Sequence, residues 1–417
     1  MSGTLGPVVI VGAGLAGLRA ATALRGLGYT GSLTIVGDEP DPPYDRPPLS
    51  KEVLTGRLPA AATDLPLPAG LDARLVLGRA AVRLDRAART VLLDDGTPLR
   101  YGGLVVATGA SAAPWPGPGA PPERGVHLLR GRRDAVALRE ALLGGGPVLV
   151  AGGGFLGCEV ASAARSMGLP VTLVDPAGSP LEAAVGPAAG SFMAAVQTDA
   201  GVDLRMGATV AELPDRRGSA LLSDGTRVAA RTVVLALGAR PNTAWLRGSG
   251  LGLDPGTGAL LCDDRGRALD HRGSPVPGIV ALGDAAAPPH PFPGPGAPAH
   301  LALGHWSEAV DHAAAAAAAL LGGAPPPEPA VPSFWSDQFG LRIRSVGVPR
   351  AADLAEVLEH DLTNRRLEVV YRRGGRTVGA LTVGRTSRLA AHRQRIVRER
   401  AGQEVRTDSG ITVGRMP

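Results

Sequence analysis

The sequence is short of several residue types, and each shortage removes a class of answer. Cysteine occurs twice in 417 residues, as Cys158 and Cys262. They lie far apart, with neither C-x-x-C nor zinc-ligand spacing, which argues against a disulfide framework, a dithiol redox centre and a structural zinc site and points to a reducing compartment. Aromatic residues make up 3% of the chain, and the arginines are scattered. That is a poor match to a nucleic-acid stacking surface, even with a formal charge of +5. No apolar run reaches the roughly 18 residues of a membrane helix. Val8–Val11 already reads as a strand, which leaves no room for a signal peptide. The expectation is a cytoplasmic protein that enters no membrane and binds no nucleic acid. Lysine is nearly missing: Lys51 stands alone against 42 arginines, and asparagine occurs only as Asn242 and Asn364. The skew matches GC-rich coding, so each rare residue that survives it carries information.

What is abundant is glycine, with 59 residues, and a chain 44% apolar, long enough for two to four globular domains. Two segments share one pattern of short apolar strand, glycine-rich turn, alanine-rich helix and second apolar strand closed by an acid. The first, VVIVGAGLAGLRAATALRGLGYTGSLTIVGDE, carries Gly12, Gly14 and Gly17, then Asp38 and Glu39; the second, VLVAGGGFLGCEVASAARSMGLPVTLVD, carries Gly152, Gly154 and Gly157, then Asp175. This is the dinucleotide-binding βαβ unit, present twice. The first glycine of each set permits the tight turn, the second lets the backbone approach a pyrophosphate, and the third lets helix pack on strand. The helix N-terminus offers free N–H groups to phosphate, and the acid about 20 residues on accepts from a ribose diol. A single G-x-G-x-x-G is weak evidence, whereas two copies in the same strand–turn–helix context read as two dinucleotide sites.

Two further apolar strands, LVVATGA (Leu104–Ala110) and VVLALGARPNT (Val233–Thr243), read as returns to each sheet, and GIVALGDAA delivers Asp284 at a strand end. Pro288–Pro298 reads as a loop and Ser307–Leu321 as an alanine-rich helix closed by Gly322-Gly323. The proline-rich stretch Pro325–Pro332 marks a boundary. Beyond it, LEVVYRR, a Gly-Gly turn and TVGALTVG alternate as a hairpin before a basic helix, Arg385–Arg400, the signature of a small α+β domain. That basic run is a solvated helix face or a docking face for an acidic protein.

The motifs PYDRPPLSKEVL (Pro43–Leu54), GGGFLGCEVA, LGARPNT, GIVALGDAA, GHWSEAVDHA and VPSFWSDQFGLRIRSVG (Val331–Gly347) carry a family resemblance from Pro7 to about Arg400. The sequence is similar to the FAD-dependent, NAD(P)H-dependent ferredoxin reductases of bacterial oxygenase systems. The resemblance implies an α/β fold of glutathione-reductase type: two Rossmann-like dinucleotide-binding domains plus a C-terminal α+β domain packed against the flavin. The boundaries expected are 1–113 with 246–324 for a discontinuous FAD-binding domain, 114–245 for an NAD-binding domain and 325–417 for the C-terminal interface domain.

The same resemblance assigns residues. Gly12, Gly14 and Gly17 would hold the FAD pyrophosphate, Asp38 or Glu39 its adenosine ribose and Asp284 its ribityl chain. Arg46 and Lys51 reach FAD from the following loop, and Thr108, Gly109, His305 and Trp306 join the FAD set, with Trp335 on the flavin side. Gly152, Gly154, Gly157, Asp175 and Gly238 would hold NADH. Glu159, read as lying in the first turn of the second helix, where the helix dipole favours a carboxylate, is expected to pair with Lys51 beside the flavin and orient the nicotinamide. These two are the catalytic candidates. Cys158 reads as a small buried hydrophobe. No residue between Leu173 and Glu182 could neutralise a 2′-phosphate, which favours NADH over NADPH.

The implied activity is hydride transfer from NADH to FAD, then one-electron delivery to an acidic iron–sulfur ferredoxin that feeds a cytochrome P450 or a Rieske-type oxygenase. A monomer or a homodimer fits equally. The pattern departs from the family at two arginines: Ser111–Ala113 follow the ATG turn where the family carries one, and Pro180-Leu181-Glu182 runs into alanine where it carries another. Those departures keep a second reading open, a flavoprotein oxidase or dehydrogenase acting on a small molecule in a biosynthetic pathway.

Overall fold

The computed structural model describes residues 5–118, 125–214, 218–294, 296–324 and 330–408. Most of the linker expected at Pro325–Pro332 lies at positions 325–329, outside the described residues. In chain order the principal elements are β1 (Val8–Val11), α1 (Leu15–Gly26), β2 (Leu33–Gly37), β3 (Arg74–Leu77), β4 (Gly103–Val106) and α2 (Arg132–Leu143). Then follow β5 (Val148–Ala151), α3 (Phe155–Ser166), β6 (Val171–Asp175), α4 (Glu182–Asp199), β7 (Val202–Met206), β8 (Pro275–Ala281) and α5 (Trp306–Leu320). The chain ends with β9 (Ser333–Gln338), β10 (Leu341–Gly347), β11 (Leu354–Asp361), β12 (Arg366–Arg373), β13 (Arg376–Val383) and α6 (Leu389–Asp408). It divides into two compact units, Met1–Gly145 with Thr232–Ala330, and Gly146–Arg231 with Val331–Pro417.

In the first unit β1 is the centre of a parallel sheet, paired on one side with β2 and on the other with β4; β3 extends the sheet beyond β2 and β8 beyond β4. Val8 and Ile10 point to one face, where α1 and α5 cover them through Leu18, Leu24, Ala309 and Ala313. Val9 and Val11 point to the other, against Leu104, Val106 and Trp245. Burial on both faces explains why β1 is an uninterrupted run of valine and isoleucine rather than an alternating one. The alanines of α1 and α5 keep side-chain bulk low where the two helices pack on each other. No helix among the described residues is long and apolar enough to cross a membrane.

The second unit repeats the device with β5, β6 and β7 in parallel register. It also contains an antiparallel sheet in the order β9, β10, β13, β12, β11. Gly374 and Gly375 both have positive φ, 53° and 78°, giving the primed two-residue turn that joins β12 to β13 with the right twist. The buried Tyr371 hydroxyl donates to the Val185 carbonyl at 2.6 Å, tying this sheet to α4. The basic C-terminal run is partly internal. Arg385 makes a bidentate pair with Glu359 at 2.7 and 2.6 Å, and Arg388 pairs with the buried Glu368.

Candidate functional site

The first glycine turn separates what the fold needs from what a ligand needs. Gly12 has φ +120°, and a Cβ there would lie 2.0 Å from the Ala107 carbonyl oxygen. A Cβ on Gly17 would lie 1.9 Å from the Gly12 oxygen. Both glycines are therefore demanded by the chain itself. Gly14 is different: its φ of −86° suits any residue, and a Cβ would meet nothing within 4 Å. Among the described residues no atom demands glycine there, and the space at the N-terminus of α1 is open to something approaching from outside.

Beyond β2, Asp38 is exposed and its Oδ1 accepts the Glu39 N–H at 3.0 Å. Glu39 turns the other way. Its carboxylate accepts from the Tyr44 hydroxyl at 2.5 Å and from Arg46 at 2.5 Å, while Arg46 also donates to the Arg130 carbonyl at 2.8 Å. Arg132 stacks 4.4 Å from the Tyr44 ring centroid. Burial alone would raise the Glu39 pKa, but the Arg46 charge and the hydrogen bonds from Tyr44 and Arg46 outweigh it and hold the carboxyl below its usual range. Burial pushes the Tyr44 phenol up to about 12. Arg46 is thus committed to holding the loop after β2, and Asp38 is the acid that faces solvent.

The wall opposite is built around Asp284, which sits in a 3-10 turn, Gly283–Ala285, directly after β8. Arg130 forms an ion pair with Asp284, and its Nε donates to the Ala110 carbonyl at 2.7 Å. A guanidinium therefore does stand at the ATG turn, supplied from the segment before α2 rather than from the residues after Gly109. Arg130 is a site residue that sequence reasoning missed; its only signal was an arginine four residues ahead of Asp134, whose carboxylate accepts the Arg130 N–H at 2.9 Å. Asn242 was missed as well, although its rarity marked it. The Thr108 hydroxyl donates to the Asn242 carbonyl at 2.7 Å, the Asn242 side chain returns a bond to the Thr108 carbonyl at 3.1 Å, and Ser111 donates to Asn242 Oδ1 at 2.8 Å. Ala110–Ala112 pairs antiparallel with Ala239–Pro241, so the turns at Gly109 and Gly238, both with positive φ, are stitched together. Trp306, first residue of α5, donates its indole N–H to Asp45 at 2.7 Å, and His305 caps the same helix. Lys51 extends its ammonium to the Pro47 carbonyl at 3.0 Å and to Ser50 Oγ at 3.2 Å.

The second glycine turn, in the second unit, repeats the logic of the first. Gly152 has φ +112°, a Cβ on Gly157 would lie 1.9 Å from the Gly152 oxygen, and a Cβ on Gly154 would meet nothing within 4 Å. Asp175 closes β6 and accepts backbone N–H groups from Gly153 at 2.6 Å and Ala177 at 2.8 Å. Cys158 is wholly buried and donates its thiol to the Gly153 carbonyl at 3.3 Å; burial pushes that thiol up to about 12, so it stays protonated. One expectation is corrected here. Because Gly154 is the N-cap, α3 begins at Phe155 and Glu159 is its fifth residue, beyond the first turn where the helix dipole acts. Glu159 is instead buried and receives a hydrogen bond from Ser336 at 2.6 Å.

Two nucleotide-type turns thus recur in one chain, each with open space at its second glycine. Residues 6–316 match the family model described as pyridine nucleotide-disulphide oxidoreductase, and residues 333–408 match the reductase C-terminal model. The chain belongs to the pyridine nucleotide-disulphide oxidoreductase family. Among these reductases it is 34% identical to rhodocoxin reductase of Rhodococcus erythropolis over 352 residues, covering 83% of this chain and 79% of that protein. It is 36% identical to the ferredoxin–NAD(+) reductase component of the p-cumate 2,3-dioxygenase system of Pseudomonas putida, covering 83% and 82%. The crystal structure of the covalent putidaredoxin reductase–putidaredoxin complex superposes with a TM-score of 0.85 at 31% identity, covering 95% of this chain and 94% of that one. The glutathione-reductase-type fold expected from the motifs is therefore the fold of this reductase. Despite the family's title, both of its cysteines are buried free thiols.

Proposed function

We propose that this chain is an NADH-dependent ferredoxin reductase that binds FAD in its first unit and NADH in its second. Its acceptor would be an acidic iron–sulfur ferredoxin serving a P450 or Rieske-type oxygenase. The observation that carries the reading is the clearance at Gly14 and Gly154, two glycines with ordinary φ and no neighbouring atom among the described residues, each at a helix N-terminus of the kind that binds pyrophosphate. FAD fits the first turn on the same ground. Asp38, left open to solvent, takes the adenosine ribose. Asp284 and its partner Arg130 take the ribityl and phosphate side, with Gly12, Gly17, Thr108, Gly109, His305 and Trp306 shaping the rest. Bound FAD supplies the conversion of a two-electron hydride donor into one-electron deliveries.

On the NADH side, Gly152 and Gly157 shape the approach, and Asp175 accepts the ribose diol where a 2′-phosphate would be repelled. Lys51 brings a compact positive charge toward the flavin, and Glu159 orients the nicotinamide. A cytoplasmic location is part of the same reading, and cell fractionation checks it.

The test is anaerobic stopped-flow absorbance of the FAD-loaded protein mixed separately with NADH and NADPH. The expected result is fast bleaching of the flavin band with NADH and little with NADPH. Bleaching by neither, with rapid reduction by a small-molecule metabolite, would transfer the case to the oxidase reading.

A further inference from the structure

Within the second unit, α3 and β9 meet residue against residue. On the helix Phe155, Glu159 and Ser162 recur at i, i+4 and i+7 and share a face; on the strand Phe334, Ser336 and Gln338 recur at every second position and share one too. The Phe155 and Phe334 ring centroids lie 4.9 Å apart. Ser336 Oγ donates to Glu159 Oε1 at 2.6 Å, and one turn further on, the Phe339 backbone N–H donates to Ser162 Oγ at 2.7 Å. Phe339 has φ 51°, a conformation that a bulky side chain adopts rarely. The Phe339-Gly340 hairpin turn, anchored on Ser162, holds it there.

A hydroxyl has one proton to give, and here its direction is set from behind. Gln338 Nε2 donates into Ser336 Oγ at 3.0 Å, so the serine proton is turned toward the carboxylate. Glu159, Ser336 and Gln338 are 7%, 0% and 2% exposed, which leaves little water to compete for these bonds. A buried carboxylate whose first oxygen is held this way has its second oxygen, Oε2, fixed in space as well.

We propose that Ser336, with Gln338 behind it, is a positioning residue that holds Glu159 in the orientation that receives the carboxamide of the nicotinamide ring. This rests on the reading of Glu159 as the residue that orients the nicotinamide. It gives the C-terminal sheet a part in donor binding, alongside whatever it contributes to the acceptor.

The experiment titrates oxidised holoenzyme with NAD+ and with ADP-ribose, which lacks the nicotinamide, by calorimetry. It compares the wild type with Ser336→Ala, Glu159→Gln and the double variant. Ser336→Ala is expected to weaken NAD+ binding by about tenfold or more, the scale of one hydrogen bond to a charged group, to leave ADP-ribose binding unchanged, and to add nothing once Glu159 is glutamine. Equal weakening of both ligands, or an undiminished effect in the Glu159→Gln background, makes Ser336 merely structural and overturns the proposal. An unaltered Ser336→Ala beside a weakened Glu159→Gln overturns it while sparing the reading of Glu159. An unaltered Glu159→Gln ends both. If Ser336→Ala does not fold, Gln338→Met leaves the hydroxyl in place but undirected, and a smaller loss of about twofold in NAD+ alone is expected.

Discussion

Replacing Gly14 and Gly17 separately by alanine divides ligand binding from folding inside one turn. At Gly17 the new Cβ would sit 1.9 Å from the Gly12 carbonyl oxygen, against ordinary van der Waals contacts of 3.4–4 Å. Helix and strand would have to part by more than an ångström, an overpacking that costs about 1–3 kcal/mol or more. At roughly 2–4 °C per kcal/mol for a domain of this size, the apoprotein should melt several degrees lower. At Gly14 the methyl meets no protein atom, and the cost of alanine over glycine at an N-cap stays under about 1 kcal/mol. FAD affinity, however, should fall at least about tenfold, or ~1.4 kcal/mol, because the methyl occupies the path of the pyrophosphate. Thermal unfolding of the apoprotein and titration with FAD, followed by flavin fluorescence, read the two quantities separately. Gly154→Ala is the internal control: it should keep FAD and lose NADH. A Gly14→Ala protein that binds FAD as tightly as the wild type would falsify the argument from clearance.

Two other outcomes follow from ionisation. Neither Cys158 nor Cys262 should react with a thiol reagent at pH 8 in the native protein, since burial raises both thiols well above that pH; two equivalents should appear on unfolding, and early reaction of either would contradict the packing. Glu39 has a folded pKa below its ordinary value of 4.5, so its stabilising contribution is present above that value and is lost as pH falls through the lower, folded one. Glu39→Gln should therefore be less stable than the wild type at pH 7 and converge with it in acid, as urea unfolding across pH would show.

The periodic and glycine-bearing parts of this fold were legible in the sequence because their chemistry is local. Val8–Val11 could be read as a strand, the turn at Gly12 and the Gly374-Gly375 hairpin could be placed, and the helix after His305 was located to within a residue, since each is decided by neighbours a few positions away. The acids at Asp38 and Asp175 were located by spacing for the same reason. What could not be read was every partnership across distance. Arg130 reaches Asp284 over 154 positions and Ser336 reaches Glu159 over 177, and no local pattern encodes a pairing of that separation. Misplacing Glu159 by one helical turn has a smaller cause: with three consecutive glycines before Phe155, the residue that caps the helix is fixed by backbone geometry rather than by side-chain type.

Lys51 turns the composition into a last test. The chain uses arginine 42 times and lysine once, so a role served by positive charge alone would be expected to carry arginine. The ammonium lies back over its own 3-10 turn, within 3.0 Å of the Pro47 carbonyl and 3.2 Å of Ser50 Oγ. A guanidinium is a planar fork on a differently jointed stem; it cannot fold into that turn without moving outward, carrying its charge away from where the ammonium holds it. Lys51→Arg should then retain FAD while flavin reduction by NADH slows by about tenfold or more, the scale of one misplaced charged contact at a reacting centre. Lys51→Met, which keeps an unbranched side chain and loses the charge, should slow it as well. If both variants reduce their flavin at the wild-type rate, the lysine is a relic of codon history and the catalytic assignment falls; if only Lys51→Met is slow, charge matters and its exact seat does not.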